Sequence, residues 1–251
     1  MNSSADVSIT YKPNDAVAYH GDLAADWEDR YQKRSFQARL EVLEECLRGR
    51  ELDGTQWLDA GCGTGTLTRF LAEQGCSVTG LDAAPQMIEM ARLQTRQHPR
   101  REQMRFEVAD REVAGTIERL TNATGSLDGV LCSSVLEYMP DAEQQVREFA
   151  RVLKPSGVLL ISVPNAQSVV RRAQVGLYHI GRRLGRPWLP FIEYSRNEYS
   201  AAEFEALLNA QGFRAERFIV FGSPMPRWLQ RLRFGGSLLM FAAVRTLAIP
   251  E

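Results

Sequence analysis

Four cysteines, three histidines and almost no net charge leave this chain without the usual marks of several protein classes. Cys46, Cys62, Cys76 and Cys132 form no Cys-x-x-Cys pair and fall where small buried residues would serve, so the sequence predicts reduced thiols in a cytoplasmic protein. Lys and Arg total 30 against 31 Asp and Glu, which gives no chain-wide basic surface, and no nucleic-acid partner is expected. The start, Met1 to Asp6, lacks the basic residues and apolar stretch of a secretory signal. The best candidate for a membrane span, Gly236 to Val244, falls short of the about 20 residues a bilayer requires and reads as a buried strand. Internal repeats and low-complexity tracts are missing as well. What remains is a 251-residue chain, long enough for one domain that buries roughly 70% of its unfolded surface.

What the chain does have is concentrated between Trp57 and Gly65. Trp57-Leu58-Asp59-Ala60 is a short apolar strand ending in an acid, and Gly61, Gly63 and Gly65 alternate directly after it. Leu67, Phe70 and Leu71 follow at helical spacing, so the glycines fall in a tight strand-to-helix turn where a missing Cβ permits positive φ and close approach of a ligand to backbone. A second run, Cys76 to Asp82, reads as the next strand, and its terminal acid is placed to accept hydrogen bonds from ribose hydroxyls. The dinucleotide fingerprint requires a third glycine three residues after the second, where this chain has Thr66. Asp59 before the turn would repel a pyrophosphate but suits a ligand carrying an ammonium and a sulfonium. Both features argue against a nicotinamide-dependent oxidoreductase.

Leu58-Asp59-Ala60-Gly61-Cys62-Gly63-Thr64-Gly65 resembles motif I of the class I S-adenosylmethionine-dependent methyltransferases, and companion motifs follow in order as far as Asn165. The resemblance implies S-adenosyl-L-methionine as cofactor, held by the turn of Asp59, Gly61, Cys62, Gly63 and Gly65. Gly80-Leu81-Asp82-Ala83-Ala84-Pro85 is similar to the second motif, so Asp82 and Ala83 are expected at the ribose, with Pro85 in the first turn of the next helix. The family implies that Asp110, closing a third strand from Met104, meets the adenine amino group with Arg111 beside it. Ser133, at the tip of a fourth strand from Leu127, is carried over to the methionine part of the cofactor. Asp26 to Tyr31 and Ser35 to Arg39 resemble the lead-in of ubiquinone-biosynthesis O-methyltransferases, which implies Arg39 as partner of the cofactor carboxylate. The competing reading is a solvated arginine on an amphipathic helix. With Asp59, Asp82 and Asp110 assigned to the cofactor, no cluster suggests a metal site.

Alternating strands and helices from Trp57 to Ile161 predict an α/β fold, a doubly wound and mostly parallel sheet to which the family adds a seventh, antiparallel strand. A single domain is expected over residues 1–251, with a helical cap over 1–50, a cofactor-binding core over 51–165, an inserted substrate lid over 166–199, and a closing helix and strand pair over 200–251. Within 169–191 apolar and arginine positions alternate at helical spacing. Such a segment could lie on an anionic membrane surface, cover a lipophilic or anionic acceptor, or pack its apolar side on the domain with its arginines in water. Relatives often carry Glu-His after the fourth strand, whereas this chain has Glu137-Tyr138. Glu137, Tyr138 and His179 are therefore the candidate catalytic residues, with His20 as a further candidate base and His98 a weaker one. The expected acceptor is a small or lipophilic molecule carrying a nucleophilic oxygen. A non-catalytic, cofactor-binding descendant of the same scaffold remains the alternative.

Overall fold

Val130, Leu131, Cys132, Leu159, Leu160 and Ile161 are all fully buried in unbroken apolar runs, the composition of strands covered by helices on both faces. The computed structural model describes residues 16–27, 34–109, 117, 124–186, 188–222 and 232–246. Its strands are β1 (Gln56–Ala60), β2 (Ser77–Asp82), β3 (Met104–Val108), β4 (Leu127–Ser133), β5 (Leu153–Pro164), β6 (Phe213–Phe221) and β7 (Leu238–Arg245). They form one seven-stranded sheet in the order β3-β2-β1-β4-β5-β7-β6. β1 to β5 pair in parallel, and β7 runs antiparallel between β5 and β6. The strand order reverses between β1 and β4, and a crevice opens beyond the carboxyl ends of strands at such a switch point.

The helices are α1 (Ala16–Asp22), α2 (Arg34–Leu47), α3 (Thr66–Glu73), α4 (Pro85–Thr95), α5 (Ala142–Val152), α6 (Val169–Arg183) and α7 (Ala201–Ala210). Local chemistry sets their ends. Pro85 opens α4, the Asp141 carboxylate accepts from the Gln144 amide at 2.8 Å to cap α5, and Ser200 with Glu203 forms a capping box on α7. Adjacent strand residues point to opposite faces, so Trp57 and Leu160 pack with Leu43, Leu47 and Leu71 on one side of the sheet. Leu58 and Ile161 pack with Phe149, Phe204 and Leu208 on the other.

The doubly wound, seven-stranded sheet expected from the sequence is the observed fold, with α1 and α2 before it and α6 after β5. The apolar stretch from Gly236 to Val244 supplies β7, and no helix among the described residues is long and apolar enough to cross a membrane. All four cysteines are buried free thiols.

Candidate active site

The turn after β1 can be built only from glycine at its key positions. Gly61, Gly63 and Gly65 have φ of 77°, 55° and 80°, in the left-handed region. A Cβ on Gly61 would lie 2.1 Å from Val135 Cγ2, and one on Gly65 would lie 2.8 Å from Phe106 Cε1. The amides of Gly61 and Cys62 both donate to the Leu81 carbonyl, at 2.7 and 2.8 Å, which lashes the turn to β2. Asp82 at the β2 tip completes the lashing: its Oδ2 accepts from the Gly63 amide and its Oδ1 from the Ala84 amide, each at 2.9 Å. Burial raises the Asp82 pKa, and these two amides oppose the rise. Ala83 spans the step between these contacts, partly exposed.

Asp59 lies beneath the turn, 1% exposed, and accepts from Thr68 Oγ1 on α3 at 2.6 Å. Burial pushes its carboxyl up to about 7. Cys62 is buried too, and desolvation, with Asp59 and Asp82 nearby, holds its thiol well above the usual range, so it is not a nucleophile at neutral pH.

The tip of β4 carries a second constellation. Arg39 Nη1, from α2, donates to Ser133 Oγ at 3.3 Å, so two residues chosen from separate motifs meet in space. Glu137 sits in a 3-10 turn over Leu136–Tyr138 and is 4% exposed. Its Oε2 accepts from Ser195 Oγ at 3.2 Å, and Ser195 Oγ in turn accepts from Arg171 Nη2 at 2.7 Å. Arg171, on α6 and 3% exposed, also donates through Nε to Glu198 at 2.8 Å. Burial pushes Glu137 up to about 7, with Arg171 and then Arg39 pulling the other way. The Asn197 side chain donates to the carbonyls of Leu136 and Met139 at 2.9 and 2.8 Å, and the Arg196 amide donates to the Glu137 carbonyl at 2.7 Å. The insertion is thus fastened around the turn that carries Glu137.

Aromatic rings form a roof beside these two constellations. Tyr138 meets His20 of α1 at 4.8 Å between centroids, His20 meets Trp27 at 5.7 Å, and Tyr19 stacks on Tyr194 of the insertion at 5.0 Å. Trp27 Nε1 comes within 3.4 Å of where a Cβ on Gly63 would stand, so this roof reaches the glycine turn. His20 Nδ1 donates to the Ala16 carbonyl at 2.7 Å, which leaves Nε2 as the acceptor in the neutral ring. Burial, followed by the charge of Glu137, keeps the Tyr138 phenol well above its ordinary value. His179 stands exposed on α6 with its ring 5.3 Å from that of Tyr178, and His98 pairs with Glu73 at 3.2 Å in an exposed contact. Asp110 and Arg111 lie outside the described residues. Trp27, Tyr194, Ser195 and Arg171 went unread as site residues because only long-range packing brings them here. Ser162 had a faint signal, as a lone polar residue in the apolar run of β5.

Residues 58–161 match a family model described as a methyltransferase domain. A ubiquinone biosynthesis O-methyltransferase from Xanthomonas euvesicatoria pv. vesicatoria is 31% identical over 196 residues, 78% of this chain and 75% of that protein. Another from Xanthomonas oryzae pv. oryzae is 36% identical over 137 residues, and in that match the chain spans only 54% of its relative's length. The fold is similar to that of magnesium protoporphyrin IX methyltransferase from Synechocystis, solved with bound SAH, at a TM-score of 0.66 and 21% identity over 91% of this chain and 97% of that one.

Proposed function

From a chain that belongs to the class I S-adenosylmethionine-dependent methyltransferases, we infer an enzyme that methylates an oxygen of a small or lipophilic acceptor. The observation that carries this reading is the positive-φ glycine turn lashed to Asp82. Gly61 and Gly65 let Val135 and Phe106 pack directly on the turn and Trp27 lies over Gly63, and a turn of bare, positive-φ backbone at the tip of β1 fits an adenosine laid against it. In this reading Asp82 holds the ribose, Asp110 and Arg111 the adenine, and Arg39 with Ser133 the methionine carboxylate. When bound, S-adenosylmethionine supplies a methyl group already activated on a positive sulfur.

The protein's own contribution is then positioning, exclusion of water and management of one proton. Rings from α1, the Leu136–Tyr138 turn and the insertion exclude water over the crevice. Glu137, raised to about 7, is poised to accept the proton of an acceptor hydroxyl near neutral pH. Tyr138 keeps its proton and serves as a wall. His179, exposed on α6, is the weaker choice of base.

Incubation with labelled S-adenosylmethionine and a metabolite extract, followed by mass spectrometry of the labelled product, tests the reaction. Labelled product is expected. Donor binding without any methylated product favours the non-catalytic alternative. Glu137→Gln should lower turnover while leaving donor affinity in place, and undiminished turnover removes Glu137 as the base. Arg39→Ala should weaken donor binding about tenfold, and an unchanged dissociation constant removes that assignment.

A second observation supports peripheral contact with an anionic membrane through 169–191. Val169, Leu177, Ile180, Leu184 and Trp188 are all 46–65% exposed on the insertion, alongside exposed Arg172, Arg182, Arg183 and Arg186. The Val169 amide donates to the Phe234 carbonyl, which adds the exposed Leu232 and Phe234 to this patch. No acid occurs in α6, so its charge complements an anionic lipid surface. Cosedimentation with phosphatidylglycerol vesicles, and its absence with phosphatidylcholine alone, is the expected result.

A further inference from the structure

The β4 tip holds a backbone conformation that its own residue does not favour. Ser134 has φ of 58°, one of three non-glycine residues among those described with positive φ. A left-handed backbone crowds an L side chain's Cβ against the following carbonyl. The two residues flanking Ser134 are the ones that matter to the pocket. Ser133, before it, receives Arg39, and Val135, after it, packs against Gly61 closely enough to forbid any Cβ there.

A single buried hydroxyl holds this turn. Ser162 on β5 is fully buried and pairs in register with Ser133. Its Oγ accepts from the Ser134 amide at 2.8 Å, a group that would otherwise be left over where the strand ends. The same oxygen stands 3.5 Å from Ser133 Oγ and 3.4 Å from Ser134 Oγ. Its neighbours in sequence, Leu160, Ile161 and Val163, are wholly apolar and buried, so nothing in the sheet itself calls for a hydroxyl at this point.

We propose that Ser162 is the positioning residue of the donor pocket: its hydroxyl pins Ser134 in the left-handed region and so aims Ser133 at Arg39 and seats Val135 on the glycine turn. This rests on the reading of the pocket as the donor site. Ser162 is not a catalytic residue. Its effect passes through the shape of the β4 tip, and the structure makes a specific demand of it. A glycine at position 134 adopts positive φ without a Cβ penalty, so it should remove the need for the pin.

Calorimetric titration with S-adenosylhomocysteine at a temperature well below the melting transition tests this on the full chain. Ser162→Ala should bind about tenfold more weakly than the unaltered protein, and Ser162→Ala combined with Ser134→Gly should return to within about twofold of it. A general structural role would lower the melting temperature of Ser162→Ala without moving the dissociation constant of the folded protein. Affinity unchanged in Ser162→Ala, or a loss that Ser134→Gly does not recover, overturns the proposal while the donor site stands. No binding by the unaltered protein overturns the donor site itself and this proposal with it. Should Ser162→Ala not fold, Ser162→Cys, whose sulfur is only a weak acceptor, takes its place in the same comparison.

Discussion

Helices α2 and α6 are both amphipathic and pack in opposite senses. In α2 the apolar residues turn inward, with Leu43 1% and Leu47 5% exposed against Trp57, Phe221 and Met240. In α6 it is Arg171, Tyr178 and Gly181 that are buried, while Leu177 and Ile180 are 46% and 51% exposed. A Cβ on Gly181 would come within 2.5 Å of the Arg186 carbonyl, so that glycine lets the returning chain lie on the helix. Spacing of about 3.6 residues establishes that a stripe exists, but the surface offered by the rest of the fold decides which stripe is covered. Both helices nonetheless send one arginine toward Glu137, Arg39 from α2 and Arg171 from α6.

The largest way to break the comparison is to remove the buried cation that anchors α6. Arg171→Met leaves Glu198 and the Ser195–Glu137 pair without their donor, and losing one partner of a buried charge pair costs roughly 3 to 5 kcal/mol. Chemical denaturation should show that loss, and a cost below about 1 kcal/mol would mean that the pair acts as an exposed one. Leu43→Ala in α2 should cost about 3 kcal/mol, since it empties a site in the core beside Trp57 and Leu71. A smaller loss would show that α2 sits loosely on the sheet and that the contrast with α6 is one of degree.

The acid between the two arginines gives a third effect, with a definite sign. Glu137 and Asp59 are both raised to about 7, from ordinary values of 4.5 and 3.8. Between those limits the folded chain keeps protons that the unfolded chain has released. Stability should therefore be greatest on the acid side of this window and fall as pH rises through about 7. The melting temperature should be higher at pH 5.5 than at pH 8, and Glu137→Gln with Asp59→Asn should flatten the difference. If Glu137 is the base, turnover runs the other way and rises as pH passes 7. A flat melting profile in the unaltered protein would remove the buried-proton reading of both acids.

How far the sequence could be read follows the same division. The glycine turn, the acids closing β1 and β2, and the alternation of strands and helices along the chain were all legible, because each depends on neighbours a few residues away. The meeting of Arg39 with Ser133 was legible only through family resemblance, since 94 residues separate them. Charge patterning left three readings of 169–191 open, one of them with its arginines in water, and none singled out Arg171, which is buried because Glu198 and Ser195 lie inside to receive it. The roof of Tyr19, His20, Trp27, Tyr138 and Tyr194 has no local signature at all. Its rings come from three separate stretches of chain, and only the packed fold brings them together.

The smallest expected change in stability is at Ile180, and it is the sharpest test of what the outward face of α6 is for. Ile180→Ser exchanges a half-exposed apolar side chain for a small polar one, so its effect on unfolding should stay within about 0.5 kcal/mol. Burial of that side chain in the acyl boundary of a bilayer would be lost at the same time, worth about 2 kcal/mol, or more than tenfold in vesicle partitioning. Retention on phosphatidylglycerol vesicles should therefore drop sharply while the melting temperature hardly moves. A matching change in Arg182→Gln should weaken partitioning less and more so at low salt, because an exposed cation near the surface contributes only about 1 kcal/mol and is screened. If Ile180→Ser leaves partitioning intact, the apolar face is not the membrane contact, and the outward packing of α6 needs a different partner from the one its charge suggests.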